Sequence, residues 1–230
     1  LTAGFLYAYM SYRAPVLIER SIVSALNDYN FQNITFGKSY RNKDFLVFDN
    51  IQLDEDSFST IEKISVKYKV FDTLLFGKIH TLKLHTPSVT STLNTNNLGN
   101  IQKYLMSGGL FRQAWLEKIN HLEILDGKID VLTKEYGGFR LDFDGQIRKG
   151  DDNSQNLQMN ISASQKQLSS SIRIKGQFMP KKGWHMDIAL DRSRLDLPQM
   201  QLSRINGTIT SDGKGNTYYS NGEINIGGFK

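Results

Sequence analysis

Residues 157–163, Leu157-Gln158-Met159-Asn160-Ile161-Ser162-Ala163, alternate apolar and polar side chains without a break. Successive side chains of a β-strand point to opposite faces, so this stretch makes a strand with one oily and one wet side. Toward the N-terminus the alternation recurs at Phe139-Leu141-Phe143, Ile129 and Val131, Leu122 and Ile124, Leu82 and Leu84, and Ile64, Val66, Tyr68 and Val70. Toward the C-terminus it returns at Ile172 and Ile174, at Trp184, Met186, Ile188 and Leu190, and at Ile224 and Ile226. Turn-forming residues punctuate these runs: Asp126-Gly127, Gly137-Gly138, Gly150-Asp151-Asp152-Asn153, Lys181-Lys182-Gly183 and Asp212-Gly213-Lys214-Gly215-Asn216. Turns spaced ~10–14 residues apart belong to an antiparallel meander rather than to βαβ units. The expected fold is mainly β with a few helices.

The N-terminal part is different. Leu1 to Tyr12 carries no charge and ends at Arg13. A dozen helical residues cover only ~18 Å of a bilayer core ~30 Å thick. Aromatic residues and a cation are what a membrane helix shows where it leaves the lipid. Residues 1–12 are therefore read as the end of a span that begins further upstream, with Phe5, Leu6, Tyr7, Tyr9, Tyr12 and Arg13 contacting the membrane; the remnant of a signal peptide or a buried N-terminal helix are the alternatives. Pro15 then suits a first helical turn. Leu17 or Ile18, Ile22, Ala25, Leu26 and Tyr29 recur at helical spacing, which predicts an amphipathic helix within 13–30, with Asn30 as a left-handed cap.

Ile34-Thr35-Phe36, Phe45–Phe48 and Ile51–Leu53 read as short strands separated by polar turns such as Tyr40–Asp44. Strands are expected over Ile61–Val70, Lys78–His85 and Pro87–Leu93. Residues 31–96 thus form a first β segment, and 97–116 a helical insertion broken at Gly108-Gly109. Residues 117–230 continue the sheet. Ile61-Glu62-Lys63-Ile64 … Gly77-Lys78-Ile79 returns as Leu116-Glu117-Lys118-Ile119 … Gly127-Lys128-Ile129, a weak repeat of about 50 residues that points to a solenoid-like sheet.

In a chain of 230 residues, 39% hydrophobic and 22% charged residues fit a folded domain. The net charge of +5 is modest, and Lys67, Lys69, Lys83, Arg140, Arg173 and Lys175 fall on the polar phase of the strands. A solvated face accounts for them better than a nucleic-acid patch, since no recognition motif accompanies the charge. The absence of cysteine removes disulfides, thiolate nucleophiles and sulfur-ligated zinc or iron–sulfur sites.

No residue looks catalytic. His80 and His85 sit five apart on one strand and face opposite sides, so they cannot converge on a metal; His121 and His185 stand alone in sequence. Asp54-Glu55-Asp56 and Asp151-Asp152 lack the ligand spacing of a calcium loop and read as turns. There is no Gly-x-Ser-x-Gly, and Gly77-Lys78 lacks the rest of a phosphate loop. Sequons at Asn33, Asn160 and Asn206 are unremarkable in a chain rich in Asn, Ser and Thr. No cofactor is implied. A carbohydrate hydrolase on a β-helix would need convergent carboxylates, and nothing selects a pair.

The apolar face remains. A β-sandwich, in which two sheets cover each other, has the same periodicity. The alternative is a long curved antiparallel sheet whose oily side stays open as a groove for acyl chains. Each CH₂ of a lipid tail costs ~0.8 kcal/mol in water, so a continuous apolar trough removes a barrier on the order of 10 kcal/mol.

The order of parts carries a resemblance. The apolar lead-in, the helix Pro15–Asn30, Phe45-Leu46-Val47-Phe48-Asp49-Asn50-Ile51-Gln52-Leu53, Ile61–Val66, Leu74-Leu75-Phe76-Gly77-Lys78-Ile79 and Pro87-Ser88-Val89 together resemble the N-terminal region of AsmA-like proteins. This bacterial superfamily includes the TamB and YdbH intermembrane phospholipid transport proteins. Asp126-Gly127-Lys128-Ile129 and Leu168-Ser169 … Gly176-Gln177-Phe178 look most like the YdbH type. The likeness spans nearly the whole chain but rests on pattern, with no catalytic motif. It implies an inner-membrane anchor, a periplasmic β-groove reaching toward the outer membrane, and glycerophospholipids as cargo. The groove-lining residues would be the apolar phase of the strands named above. A structural or assembly factor of the envelope, pairing through its sheet edges, is the competing expectation.

Overall fold

The computed structural model describes residues 2–27, 33–42, 44–53, 59–93, 116–133, 137–165, 168–179, 182–197, 200–214 and 217–229. The N-terminal element is a single α-helix, α1 (Thr2–Asn27), with Pro15 inside it. A helix starting at Pro15 was the local expectation, because interior proline cannot donate to the carbonyl one turn back. Packing overrides that cost: Ala14, Ile18 and Ile22, four apart, make a fully buried stripe. The expected cap at Asn30 lies outside the described residues. Among those residues no helix is long and apolar enough to cross a membrane.

The strands among the described residues join one sheet of eleven in strict sequence order, β1 to β11. They are β1 (Lys38–Asn42), β2 (Phe45–Gln52), β3 (Thr60–Lys67), β4 (Ile79–Leu93), β5 (Ile119–Thr133) and β6 (Gly137–Lys149). Then follow β7 (Gln155–Gln165), β8 (Leu168–Met179), β9 (Gly183–Leu197), β10 (Met200–Lys214) and β11 (Thr217–Phe229). The sheet is long, curved and unclosed, since β1 and β11 are both edges. Among the described residues no second sheet covers the first, as the sandwich alternative would require.

Several local expectations change. Tyr40–Asn42 belong to the edge strand β1 and pair with β2, because an edge strand exposed on both sides carries no apolar alternation to betray it. β3 ends at Lys67, so Tyr68 lies beyond it and Val70 begins a short helix, α2 (Val70–Phe76). Lys78–His85 and Pro87–Leu93 form one strand, β4, bent at Thr86, whose φ is 47°. Every pairing is antiparallel except β4 with β5, which is parallel. A parallel pair needs a crossover of a dozen or more residues, and the stretch 94–118 supplies it. The expected helical insertion 97–116 lies outside the described residues except for Leu116, which opens the 3-10 turn Leu116–Lys118.

The weak repeat has no structural counterpart. Gly77 caps α2 in the left-handed region, whereas Gly127 sits inside β5. Asp126-Gly127 is thus a bulge rather than a hairpin. Asp126 has a φ of 52°, and its N–H donates to Asp144 Oδ1 at 2.8 Å. The device recurs at Arg192, φ 50°, whose N–H donates to Asn206 Oδ1 at 2.9 Å. Thr86 and Asp126 sit at equivalent points between the pairs His85–Leu125 and Ser88–Lys128. Bulges bend and twist the strands that carry them, so aligned bulges curve the sheet. The hairpin turns at Gly150–Asn153 and Lys182-Gly183 stand where expected.

Candidate functional site: one apolar face across ten strands

Strand register brings the sequence-selected residues onto one face. One row runs across the sheet from Phe48 through Ile64, Leu84, Ile124, Gly145, Met159, Ile174, Ile188 and Ile209 to Gly222. A second runs Leu46, Val66, Leu82, Leu122, Ile147, Leu157, Gly176, Met186 and Ser211. A third joins Gly127, Phe143, Ile161, Ile172, Leu190, Gly207 and Ile224. Ile129 pairs with Leu141, Val131 with Phe139, Phe178 with Trp184 and Ile205 with Ile226 on the same face. Each row has a small residue where a neighbour is bulky. A Cβ at Gly127 would meet the Phe143 ring at 2.6 Å, and one at Gly145 would lie 3.4 Å from Met159 Cε.

The two ends of this face differ. At the first strands it is a closed core: Ile18 and Ile22 of α1 cluster with Leu46, Phe48, Ile51, Leu53, Ile61, Ile64, Val66, Ile79, Leu82, Ile119 and Leu122. Tyr68, Leu84, Ile124 and Ile147 pack against its margin. From β7 onward the apolar phase is only half-buried, apart from Leu157 and Trp184, while the polar phase alternates as exposed. In a single layer that asymmetry means the sheet bends toward its apolar side. At β11 the face is open: Ile224 and Ile226 are 59% and 53% exposed.

Ile147, Phe178, Leu195, Leu202, Ile205 and Ile209 share this face without having been singled out for it from the sequence. Their alternation is interrupted by glycine or by bulges, so register was the only signal that could place them. Val70, selected as a strand residue, lies on α2 instead. Phe5, Leu6, Tyr7, Tyr9, Tyr12 and Arg13 all lie on α1. Arg13 Nε donates to Tyr9 Oη at 3.1 Å, with the guanidinium 5.6 Å from the ring centre.

The opposite face is polar and laced with pairs. Lys83 meets Glu123 at 2.7 Å, which holds the Glu123 carboxyl below its usual range. Arg140 meets Asp130 at 2.8 Å, and Gln146 donates to Gln158 at 2.8 Å. His185 lies 2.7 Å from Asp212 and 3.2 Å from Asp187; the hydrogen bond to Asp212 raises its pKa above the ordinary histidine value. Burial lowers the pKa of His85 and His121. A shallow depression of about 450 Å³ on this polar face, among Asn160, Arg173, Asp191, Thr208 and Glu223, is lined by solvated groups. Among the described residues no cluster of His, Asp or Glu could hold a metal ion. The acidic run Asp54–Asp56 lies outside the described residues, and Asp151-Asp152 forms the expected turn, with Asp152 Oδ1 accepting from Ser154 N–H at 3.0 Å.

What this arrangement can do is bury hydrocarbon along a line that crosses the strands. No family model matches this chain, and no curated protein or solved structure is significantly similar to it.

Proposed function

We propose that this is a lipid-transfer protein whose curved apolar sheet carries phospholipid acyl chains, tethered at its N-terminus to the bacterial inner membrane and working in the periplasm toward the outer membrane. The observation that carries the reading is the set of in-register apolar rows. Among the described residues they are roofed by α1 at one end, only half-buried from β7 onward apart from Leu157 and Trp184, and open at β11. A chain built only for stability would cover such a face, because exposed contiguous apolar surface promotes aggregation. The element order shared with AsmA-like proteins supports the cargo and the compartment. No chemical step is needed, so the protein is not an enzyme in this reading.

Native mass spectrometry of gently purified protein tests it. Co-purifying phospholipid, lost when charge is placed on the uncovered rows, is the expected result. Lipid-free protein whose variants at those rows simply unfold would refute it.

A second reading has its own observation. Among the described strands β11 (Thr217–Phe229) is the last of the sheet, carries no Lys or Arg and leaves Phe229 73% exposed, whereas the first, β1, carries Lys38 and Arg41. Edges lacking such guards accept added strands. Crosslinks concentrated on β11, without bound lipid, would favour an envelope assembly factor acting through that edge.

A further inference from the structure

Helix α2 does not belong to the apolar face, yet it presents large hydrophobic side chains to solvent. Phe71, Leu75 and Phe76 are 52%, 66% and 62% exposed on an element of seven residues. Phe71 and Leu75 are one turn apart and share one side of the helix, and Phe76, the last helical residue, projects about 100° round from Leu75. The helix is firmly closed. Gly77, at φ 63°, donates its N–H to the Thr73 carbonyl at 2.9 Å, and Thr73 Oγ1 donates to the Lys78 carbonyl at 2.7 Å. The three side chains therefore project from a fixed platform.

The charges around them have one dominant sign. Lys69 precedes the helix, Lys78 Nζ lies 5.5 Å from the Phe76 ring centre, and Lys118 flanks Gly77. Asp72 and Glu117 are the nearby acids; Lys67 is paired with Asp44 at 3.4 Å. The N-terminal half of α1 lies at the same end of the molecule. α1 packs against α2, and its Ser11, Tyr12 and Pro15 line a depression with Ser39, Tyr40, Arg41 and Leu46. Arg41 in turn donates to Tyr68 Oη at 2.7 Å, just ahead of α2. Arg13 thus adds a cation, and Tyr12, 78% exposed, adds an aromatic ring.

We infer that α2 is an interfacial foot that docks this end of the protein onto an anionic phospholipid bilayer. Phe71, Leu75 and Phe76 enter the boundary between headgroups and acyl chains, and Lys69, Lys78, Lys118 and Arg13 face the lipid phosphates. Apolar residues rimmed by lysine are the combination that interfacial binding needs, since buried apolar area and attraction to anionic lipid add. A protein partner would have to be acidic at the rim and concave at the centre. A bilayer satisfies both without a shaped surface. The inference does not depend on what occupies the sheet.

The test uses vesicles of phosphatidylcholine with and without phosphatidylglycerol. The full chain should co-sediment with the anionic vesicles and be released by salt. Phe71→Ser/Leu75→Ser/Phe76→Ser should weaken binding at least about tenfold while the chain keeps a cooperative thermal unfolding transition, because each of the three side chains is more than half exposed. Phe76→Trp, read against the Trp115 and Trp184 background, should shift to shorter wavelength on binding and be quenched by brominated acyl chains. Any of four results overturns the inference. These are no binding to either vesicle, equal binding to uncharged vesicles, undiminished binding by the triple variant, or a Phe76→Trp emission already typical of a buried indole before vesicles are added. The last would mean that another part of this chain or a second copy covers α2.

Discussion

Val66→Asp and Leu141→Asp place the same charge on the same face of the sheet, and their contrast separates the closed core from the open rows. Val66 is 0% exposed, paired with Leu46 and Leu82 and clustered with Ile18 and Ile22 of α1. Losing a fully buried aliphatic side chain costs about 1.5–3 kcal/mol. An unpaired carboxylate in its place adds several kcal/mol of desolvation. The sum, roughly 5 kcal/mol or more, approaches the whole stability of many domains at ~5–15 kcal/mol. Leu141 lies between Ile129 and Ala163 but keeps partial exposure, so its carboxylate stays hydrated. There the cost should be about 1–2 kcal/mol, a fall in Tm of roughly 2–8 °C for a chain of this size. Circular dichroism melts and urea midpoints read the stability, and native mass spectrometry reads bound lipid. Val66→Asp should unfold or lose most of its stability; Leu141→Asp should stay folded with less lipid. A Val66→Asp protein that melts like the unsubstituted one would refute the roofed core. Equal destabilisation by both variants would refute the open face.

Gly77→Ala tests the cap of α2. A Cβ there meets nothing closer than 3.7 Å, so the cost is the left-handed φ of 63° alone, about 1 kcal/mol in the urea midpoint, and no change would contradict that geometry. Gly127→Ala drives a Cβ into the Phe143 ring at 2.6 Å and should cost about 1–3 kcal/mol; Phe143→Leu in the same chain should restore most of it. His185 should titrate above ~6.5 by NMR, with His85 and His121 below it. The His185 contribution to stability is present below its unfolded-state pKa and is lost as pH rises through the raised folded-state value. Asp212→Asn should remove most of that contribution and bring His185 back toward ~6.5; an unmoved His185 titration would show that the Asp212 contact is not made in solution.

The period-2 alternation made the β class and the strand phases legible, and residues such as Met159, Ile174 and Ile188 stand where that phase put them. Alternation is a local property, and each strand carries it whatever its neighbours do. Elements set by tertiary contacts escaped it. β1 has no apolar phase because both its faces meet solvent, and Pro15 lies inside α1 because Ala14, Ile18 and Ile22 bury together. Asp126-Gly127 has hairpin residues yet serves as a bulge, since positive φ suits both and only the β6 partner decides between them.

By itself the sequence determined that one side of many successive strands is oily, because side-chain direction along a strand follows from the backbone. It also ruled out thiol and disulfide chemistry in these residues, through composition alone. Only the tertiary structure decided that β4 and β5 run parallel, that the rows align from β2 to β11, and that α1 covers only the first of them. Those outcomes depend on register, bulges and the docking of α1 across long stretches of chain. Pairing energies between distant segments set them, and no local window of residues records those energies.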